Sequence, residues 1–265
     1  MKHELLNIPK AELLQKLKDV KALGWIHTSR SKNDGAVGNT LEDLLEIPEN
    51  NLGIANTVDW ELKAQRKATS SLITLFHIDP KPRKPKSVVA KVLLPFYGWA
   101  HQEAGLKYGA DEMSFRATLN AVNYTDRGIK ISIDSVNRKV NIVFNPSKCD
   151  ERHRDWLERV TGYHGNEEQV IAFWDFDDLQ KKCAGKIRNT IYVNADARIV
   201  DGQEEFKYDK IELLEDFAFN NLLRGLISGN ILIDFDARTG HNHGTKFRIK
   251  QNNWPVLFSK ITELK

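Results

Sequence analysis

Glu61 and Lys63 are the residues of this chain best suited by type and spacing to do chemistry. They stand in Asp59-Trp60-Glu61-Leu62-Lys63, within a stretch that alternates as a strand from Val58 to Gln65. Side chains alternate along a strand, so Glu61 and Lys63 share one side while Trp60 and Leu62 turn into the core. A carboxylate to hold a divalent cation and an ammonium beside it to steer a water form a minimal hydrolytic site. Such a cation neutralises a phosphate and lowers the pKa of a bound water. Mg²⁺ prefers a few hard oxygen ligands and keeps several waters, so two acidic positions and a main-chain carbonyl suffice. Glu-x-Lys also occurs by chance in surface strands. Here the buried flank and the acidic helix before it (Glu42, Asp43, Glu46) raise its weight. The partner carboxylate is expected a few residues upstream, where the chain carries Asn56.

A second constellation lies near the C-terminus: Asp236-Ala-Arg238, then His241-Asn-His243-Gly-Thr245-Lys246-Phe-Arg248. Arginine matches the O6 and N7 acceptors of guanine with two parallel hydrogen bonds, and histidine and asparagine also read base edges. The plain alternative is a solvated loop. His-x-His could also chelate a metal, and the letters His-Asn-His invite a nuclease label whose histidines are in fact spread over a longer unit. Pro80 to Lys86 is a basic, proline-rich loop suited to phosphate contacts or to a solvated linker. Cys149, His153, His164 and Cys183 lack the paired Cys-x-x-Cys spacing of a zinc site.

The elements that must position these residues are legible from periodicity. Lys10 to Leu23 reads as an amphipathic helix ended by Gly24. Asn39 or Thr40 is expected to cap a second helix that buries Leu41, Leu44 and Leu45. Ser71 to Ile78 reads as a strand beside the one carrying Glu61, and Ser87 to Leu94 as a short helix. Phe115 to Ala121, Gly128 to Val136 and Lys139 to Asn145 read as antiparallel strands, the last two joined at Asn137-Arg138. Helices are expected over Glu151 to Tyr163, Phe176 to Cys183 and Phe217 to Ile227. Arg188 to Arg198 and Glu205 to Leu213 form a hairpin around Asp201-Gly202. Strands follow over Ile231 to Ala237 and Thr245 to Ile249, with a short helix from Trp254. Antiparallel strands with flanking helices give an α/β or α+β fold.

The bulk properties fit. The chain has 265 residues, 41% hydrophobic and 28% charged, as in an ordinary globular protein. A net charge of +3 does not by itself point to nucleic acid, so any such surface must come from local clustering. Two cysteines make no disulfide framework. No apolar run reaches membrane-spanning length, and the first residues are too charged for a signal peptide. A cytoplasmic location is the expectation.

In order and spacing, several segments together resemble the MvaI/BcnI family of type II restriction endonucleases. These are Gly38-Asn-Thr-Leu-Glu42-Asp-Leu-Leu-Glu, Pro48-Glu-Asn-Asn-Leu, Asp59-Trp-Glu61-Leu-Lys63, Ser70-Ser-Leu-Ile-Thr-Leu-Phe76 and His241-Asn-His-Gly-Thr-Lys-Phe-Arg-Ile249. The resemblance covers the two ends of the chain and leaves Val88 to Gly165 unmatched. It implies a PD-(D/E)XK nuclease core, a mixed central sheet flanked by helices, in a MutH-like two-lobed clamp around DNA. Residues 1–87 would be a catalytic lobe with the active-site hairpin, 88–165 a clamping insertion and 166–265 a recognition lobe. The implied activity is Mg²⁺-dependent cleavage of duplex DNA at a short G·C-rich site of the CCNGG kind. It would proceed by sequential nicking, by a monomer, with Ca²⁺ or Mn²⁺ able to replace Mg²⁺ in binding. A cognate DNA methyltransferase would be its functional partner.

By position, the resemblance makes Glu61 a metal ligand, with the Leu62 carbonyl beside it, Lys63 the water-positioning base and Glu42 the helix carboxylate at the edge of the site. Asp236, Arg238, His241, His243, Thr245, Lys246 and Arg248 fall in the DNA-contacting segment, and His77 at a minor-groove or central-base contact. The family has aspartate where this chain has Asn56. Asparagine is nearly isosteric but neutral, so the chain is expected to be inactivated at that single position, by deliberate substitution in preference to natural degeneration, with Asp59, on the Glu61 side of the strand, as an alternative acid. Rival readings are a MutH-like nicking repair enzyme, a DNA-binding protein that does not cut, and a structure-specific nuclease without sequence preference.

Overall fold

The computed structural model describes residues 9–30, 35–47, 60–67, 72–81, 87–187 and 189–265. Asn56 and Asp59, the Pro48 to Gly53 loop and most of the basic loop after Lys81 lie outside them. The fold is mixed α+β, and the chain divides into two compact units. One comprises residues 1–71, 183–218 and 251–265, and the other residues 72–182 and 219–250.

The first unit is built on a five-stranded sheet. Its helices are α1 (Lys10–Ala22) and α2 (Ala36–Leu44). Its strands are β1 (Trp25–His27), β2 (Glu61–Arg66), β9 (Thr190–Val200), β10 (Gln203–Phe217) and β14 (Phe258–Glu263). The order is β1-β10-β9-β2, with β14 on the other half of β10. All pairings are antiparallel except β2 with β9. Leu13, Leu17 and Val20 of α1 fall at helical spacing and are buried, and Gly24 takes a left-handed φ of 73° that stops the helix. Together with Leu41, Leu45, Trp60, Leu62, Ile191 and Phe206 they form one hydrophobic core.

α2 begins at Ala36, earlier than the expected cap. Thr40 lies inside it, and its hydroxyl hydrogen-bonds the Thr28 hydroxyl at 2.6 Å in a buried pair. Burial of Ala36, Val37, Thr40 and Leu41 along one stripe sets the start of this helix, overriding the local capping preference. The β9–β10 hairpin turns at Asp201 and Gly202, both with positive φ (51° and 77°). That is the two-residue geometry an Asp-Gly pair favours.

The second unit carries two sheets. The six-stranded one has the order β3-β13-β11-β5-β4, with β12 on β11. Its strands are β3 (Leu72–His77), β4 (Trp99–Ala100), β5 (Met113–Leu119), β11 (Ile231–Arg238), β12 (His241–Asn242) and β13 (Lys246–Lys250). The three-stranded one runs β6 (Arg127–Asp134), β7 (Lys139–Cys149) and β8 (Gln169–Asp175). Helices α3 (Arg154–His164), α5 (Phe219–Ile227) and most of α4 (Phe176–Lys186) belong to this unit. So does a π-helix over Val89–Tyr97 with Pro95 inside, longer than the expected Ser87 to Leu94 helix.

Three expectations are corrected. β2 does not pair with β3: β2 runs parallel to β9, and β3 pairs with β13 in another sheet. The strand carrying Glu61 is therefore supported by a segment far downstream. The C-terminal tail is two short 3-10 turns followed by β14, because β10 offers a free ladder edge from Glu212 to Phe217. The β6–β7 connection is a four-residue loop closed by Asp134, which accepts hydrogen bonds from the Asn137 backbone and side chain at 2.9 and 2.8 Å.

Candidate functional site

Glu61, Lys63 and Gln65 occupy one face of β2, and Leu62 and Ala64 the core face. Across the parallel ladder they stand beside Thr190, Tyr192 and Asn194 of β9. Lys63 Nζ lies 2.7 Å from Glu61 Oε1. The Glu61 side chain is only 12% exposed, and its Oε2 is buried with no hydrogen-bond partner among the described residues. A carboxylate oxygen withdrawn from water without a donor is costly. A divalent cation at that oxygen would compensate it, so this donor fits the hard-oxygen chemistry of Mg²⁺. Lys63 holds the other oxygen, and its own side chain is one-third exposed.

The surroundings of the pair are linked by hydrogen bonds. Tyr192, paired with Lys63, places its hydroxyl 3.4 Å from both Gln65 Oε1 and the Gln251 carbonyl. Burial pushes that hydroxyl far above its ordinary pKa, so it stays protonated. Gln251 in turn donates to the Arg66 carbonyl at 2.6 Å. Arg66 forks onto Glu204 through Nε at 2.8 Å and Nη2 at 2.9 Å. Glu42 is half-buried on α2, the helix that packs on β2. Among the described residues no three His, Cys, Asp or Glu side chains cluster as a metal site.

The C-terminal candidates lie on the six-stranded sheet. Along β11, Ile233, Phe235 and Ala237 are buried, and Asp234, Asp236 and Arg238 alternate with them on the opposite face. Every one of the three is ion-paired. Asp236 takes Arg116 Nε at 2.9 Å, and Arg238 reaches Glu112 at 3.0 Å. Asp234 accepts from Arg248 Nη1 at 2.7 Å and from the Thr118 hydroxyl at 2.7 Å. Arg248 also donates to the Leu72 carbonyl at 2.9 Å, and the Arg238 guanidinium lies 4.6 Å from the Tyr108 ring centre. Lys246 sits between Asp234 and exposed His77 in the ladder.

His241 and His243 stack edge to face, ring centres 4.3 Å apart, and the His243 amide donates to the Asp236 carbonyl. Thr245 departs from expectation. It is 1% exposed, and its hydroxyl and amide both go to Asp79 Oδ1, at 2.8 and 3.0 Å. With its hydroxyl committed, it anchors the loop and does not present itself on the surface.

Sequence reasoning passed over Arg116, Glu112, Thr118 and Asp234. Arg116 and Thr118 were within reach: they alternate with buried Phe115 and Leu119 on an expected strand. Glu112 precedes the strand and carries no local signal. Glu61, Leu62 and Lys63 come together as their spacing implies. Asn56 lies outside the described residues.

Residues 14–258 match the MvaI/BcnI restriction endonuclease family, and the chain belongs to that family. It is thereby a restriction endonuclease, a site-specific deoxyribonuclease, in kind. Among solved structures it is similar to restriction endonuclease MvaI in complex with cognate DNA substrate, with TM-score 0.71 and 24% identity over 97% of this chain and 100% of that one. It is also similar to MvaI in the absence of DNA, with TM-score 0.56 and 24% identity over 96% and 98%. At that identity the likeness is one of fold. No curated protein matches by sequence.

Proposed function

We propose that this protein is built to hydrolyse phosphodiester bonds of duplex DNA at a short G·C-rich site of the CCNGG kind, with Mg²⁺, as a cytoplasmic monomer that nicks one strand and then the other. Ca²⁺ or Mn²⁺ would replace Mg²⁺ in binding, and a DNA methyltransferase of the same specificity would protect the host. The observation that carries this reading is the Glu61–Lys63 pair, with one carboxylate oxygen held by the ammonium and the other buried and unpartnered among the described residues.

Glu61 Oε2, the Leu62 main-chain carbonyl and the side chain at position 56 would hold the cation, with Glu42 at the margin. When bound, Mg²⁺ would supply charge neutralisation at the phosphate and acidify a water. Lys63 would orient the attacking water by hydrogen bonding through Nζ, which requires its contact with Glu61 to loosen or be shared. Tyr192, Gln65 and Gln251 would keep the strand from moving while it does so. On the six-stranded sheet, Arg238 and Arg248 would read guanines through their guanidinium edges. Asp236, His241, His243, Lys246 and His77 would contact bases or backbone around them. The two MvaI structures support the DNA reading, one of them being a complex with cognate DNA.

Asn56 leaves this machinery one anionic ligand short. Asparagine contributes a neutral oxygen, so the rate of the chain carrying Asn56 would be low by orders of magnitude. A second reading, a DNA-binding protein that does not cut, rests on this same residue. Comparing Mg²⁺-dependent cleavage of plasmid DNA by the chain carrying Asn56 and by Asn56→Asp separates the two. A gain of orders of magnitude supports the nuclease; equal rates would remove position 56 from the site, and tight binding without any cutting by Asn56→Asp would favour the second reading.

A further inference from the structure

Glu61 and Thr190 are direct neighbours across the parallel β2–β9 ladder, on the same side of the sheet. Glu61 Oε2 is buried without a partner among the described residues, and so is Thr190 Oγ1. Thr190 is 0% exposed. Withdrawing either atom from water without a hydrogen bond destabilises the fold. Valine has nearly the shape of threonine and would relieve the cost at position 190. The hydroxyl instead stands next to Glu61, whose Oε2 has no donor among the described residues. The other hydroxyl nearby is engaged, since Tyr192 is occupied with Gln65 and Gln251. Lys63 already serves the far oxygen of Glu61.

We propose that Thr190 is a positioning residue for the cation site at Glu61. In the cation-loaded site its hydroxyl, unpartnered here among the described residues, would bond the Glu61 carboxylate, directly or through one water, and fix which oxygen faces the cation. A hydroxyl has one hydrogen to give and two lone pairs to receive. It can therefore donate to Glu61 while accepting from a water of the shell that Mg²⁺ retains. This rests on the reading of Glu61 as a cation ligand. Groups that orient a metal ligand in this way change metal affinity by about 10–100-fold when removed.

The test uses the full chain carrying Asn56→Asp and Tb³⁺ as the probe, followed by aromatic-sensitised luminescence, with Mg²⁺ and Ca²⁺ as competitors. Glu61→Gln defines the part of the signal that belongs to this site. Thr190→Val is expected to weaken Glu61-dependent binding about 10-fold or more, with a melting temperature equal to or above that of the parent. Thr190→Ser, which keeps the hydroxyl, is expected to bind as the parent does. If Glu61→Gln abolishes binding and Thr190→Val leaves it unchanged, Thr190 only packs and this inference falls alone. Equal weakening by Val and Ser would assign the effect to the lost shape and also overturn it. If Glu61→Gln changes nothing, the cation reading of Glu61 fails first and takes this one with it.

Discussion

The two candidate faces of this protein treat their charges in opposite ways. On β2 the candidate acid is left incomplete: one oxygen of Glu61 goes to Lys63, and the other is buried with no hydrogen-bond partner among the described residues. On the six-stranded sheet the charges are matched in advance. Arg116, Arg238 and Arg248 each carry an acid, in Asp236, Glu112 and Asp234. An uncompensated desolvated carboxylate raises the energy of the empty site and favours a cation. A guanidinium already held by an acid loses less side-chain freedom when a base edge replaces water on its free nitrogens. On the proposed reading, the first face would capture a charge and the second would present donors in fixed directions.

That contrast breaks in order of expected effect. In the Asn56→Asp background, Lys63→Ala should abolish cutting while leaving DNA affinity nearly intact, as read by a cleavage time course and a binding titration. Loss of binding instead would make Lys63 a phosphate anchor. Arg238→Ala and Arg248→Ala should each reduce discrimination at one guanine by ~1–3 kcal/mol, read from relative affinities for single-base-pair variants of the site. A uniform loss over all sequences would show that the arginine touches only backbone.

Glu112→Gln should have a smaller effect in the same direction. It keeps an acceptor for Arg238 but loses the charge that pins it, and an effect as large as Arg238→Ala would mean that Glu112 contacts DNA itself.

The weakest effect is expected at Asp209, which is none of the candidate site residues. Burial acts to raise its carboxyl pKa, but the hydrogen bond and charge of Lys67 outweigh this and hold it below the ordinary range. Its contribution to stability is therefore present above the ordinary carboxylate pKa and fades as pH falls through the lowered value. The melting-temperature difference between the parent and Asp209→Asn should shrink on acidification; a difference that grows would reverse the assigned sign.

The local chemistry was more legible in the sequence than its support. Period-two alternation gave Glu61 and Lys63 a common face, and the structure keeps it. The Asp201-Gly202 turn was readable because only a few residues tolerate two left-handed φ values in succession. The partners of these strands were not readable. β2 takes as its neighbour a strand that begins at Thr190, and no local pattern encodes a parallel pairing over that separation. Thr190 itself was invisible for the same reason. On the six-stranded sheet, Arg238 and Arg248 stood out by type, but the acids that hold them come from β11 and the segment before β5. α2 shows the limit of capping rules, since burial of Ala36 and Val37 places its start ahead of Asn39.

The most direct measurement is to digest a plasmid with the Asn56→Asp protein and Mg²⁺ and sequence every new end. The account predicts that the ends fall at one short G·C-rich sequence and vanish when Glu61→Gln is added. Ends scattered without a common sequence, or unchanged cutting with Glu61→Gln, would contradict it.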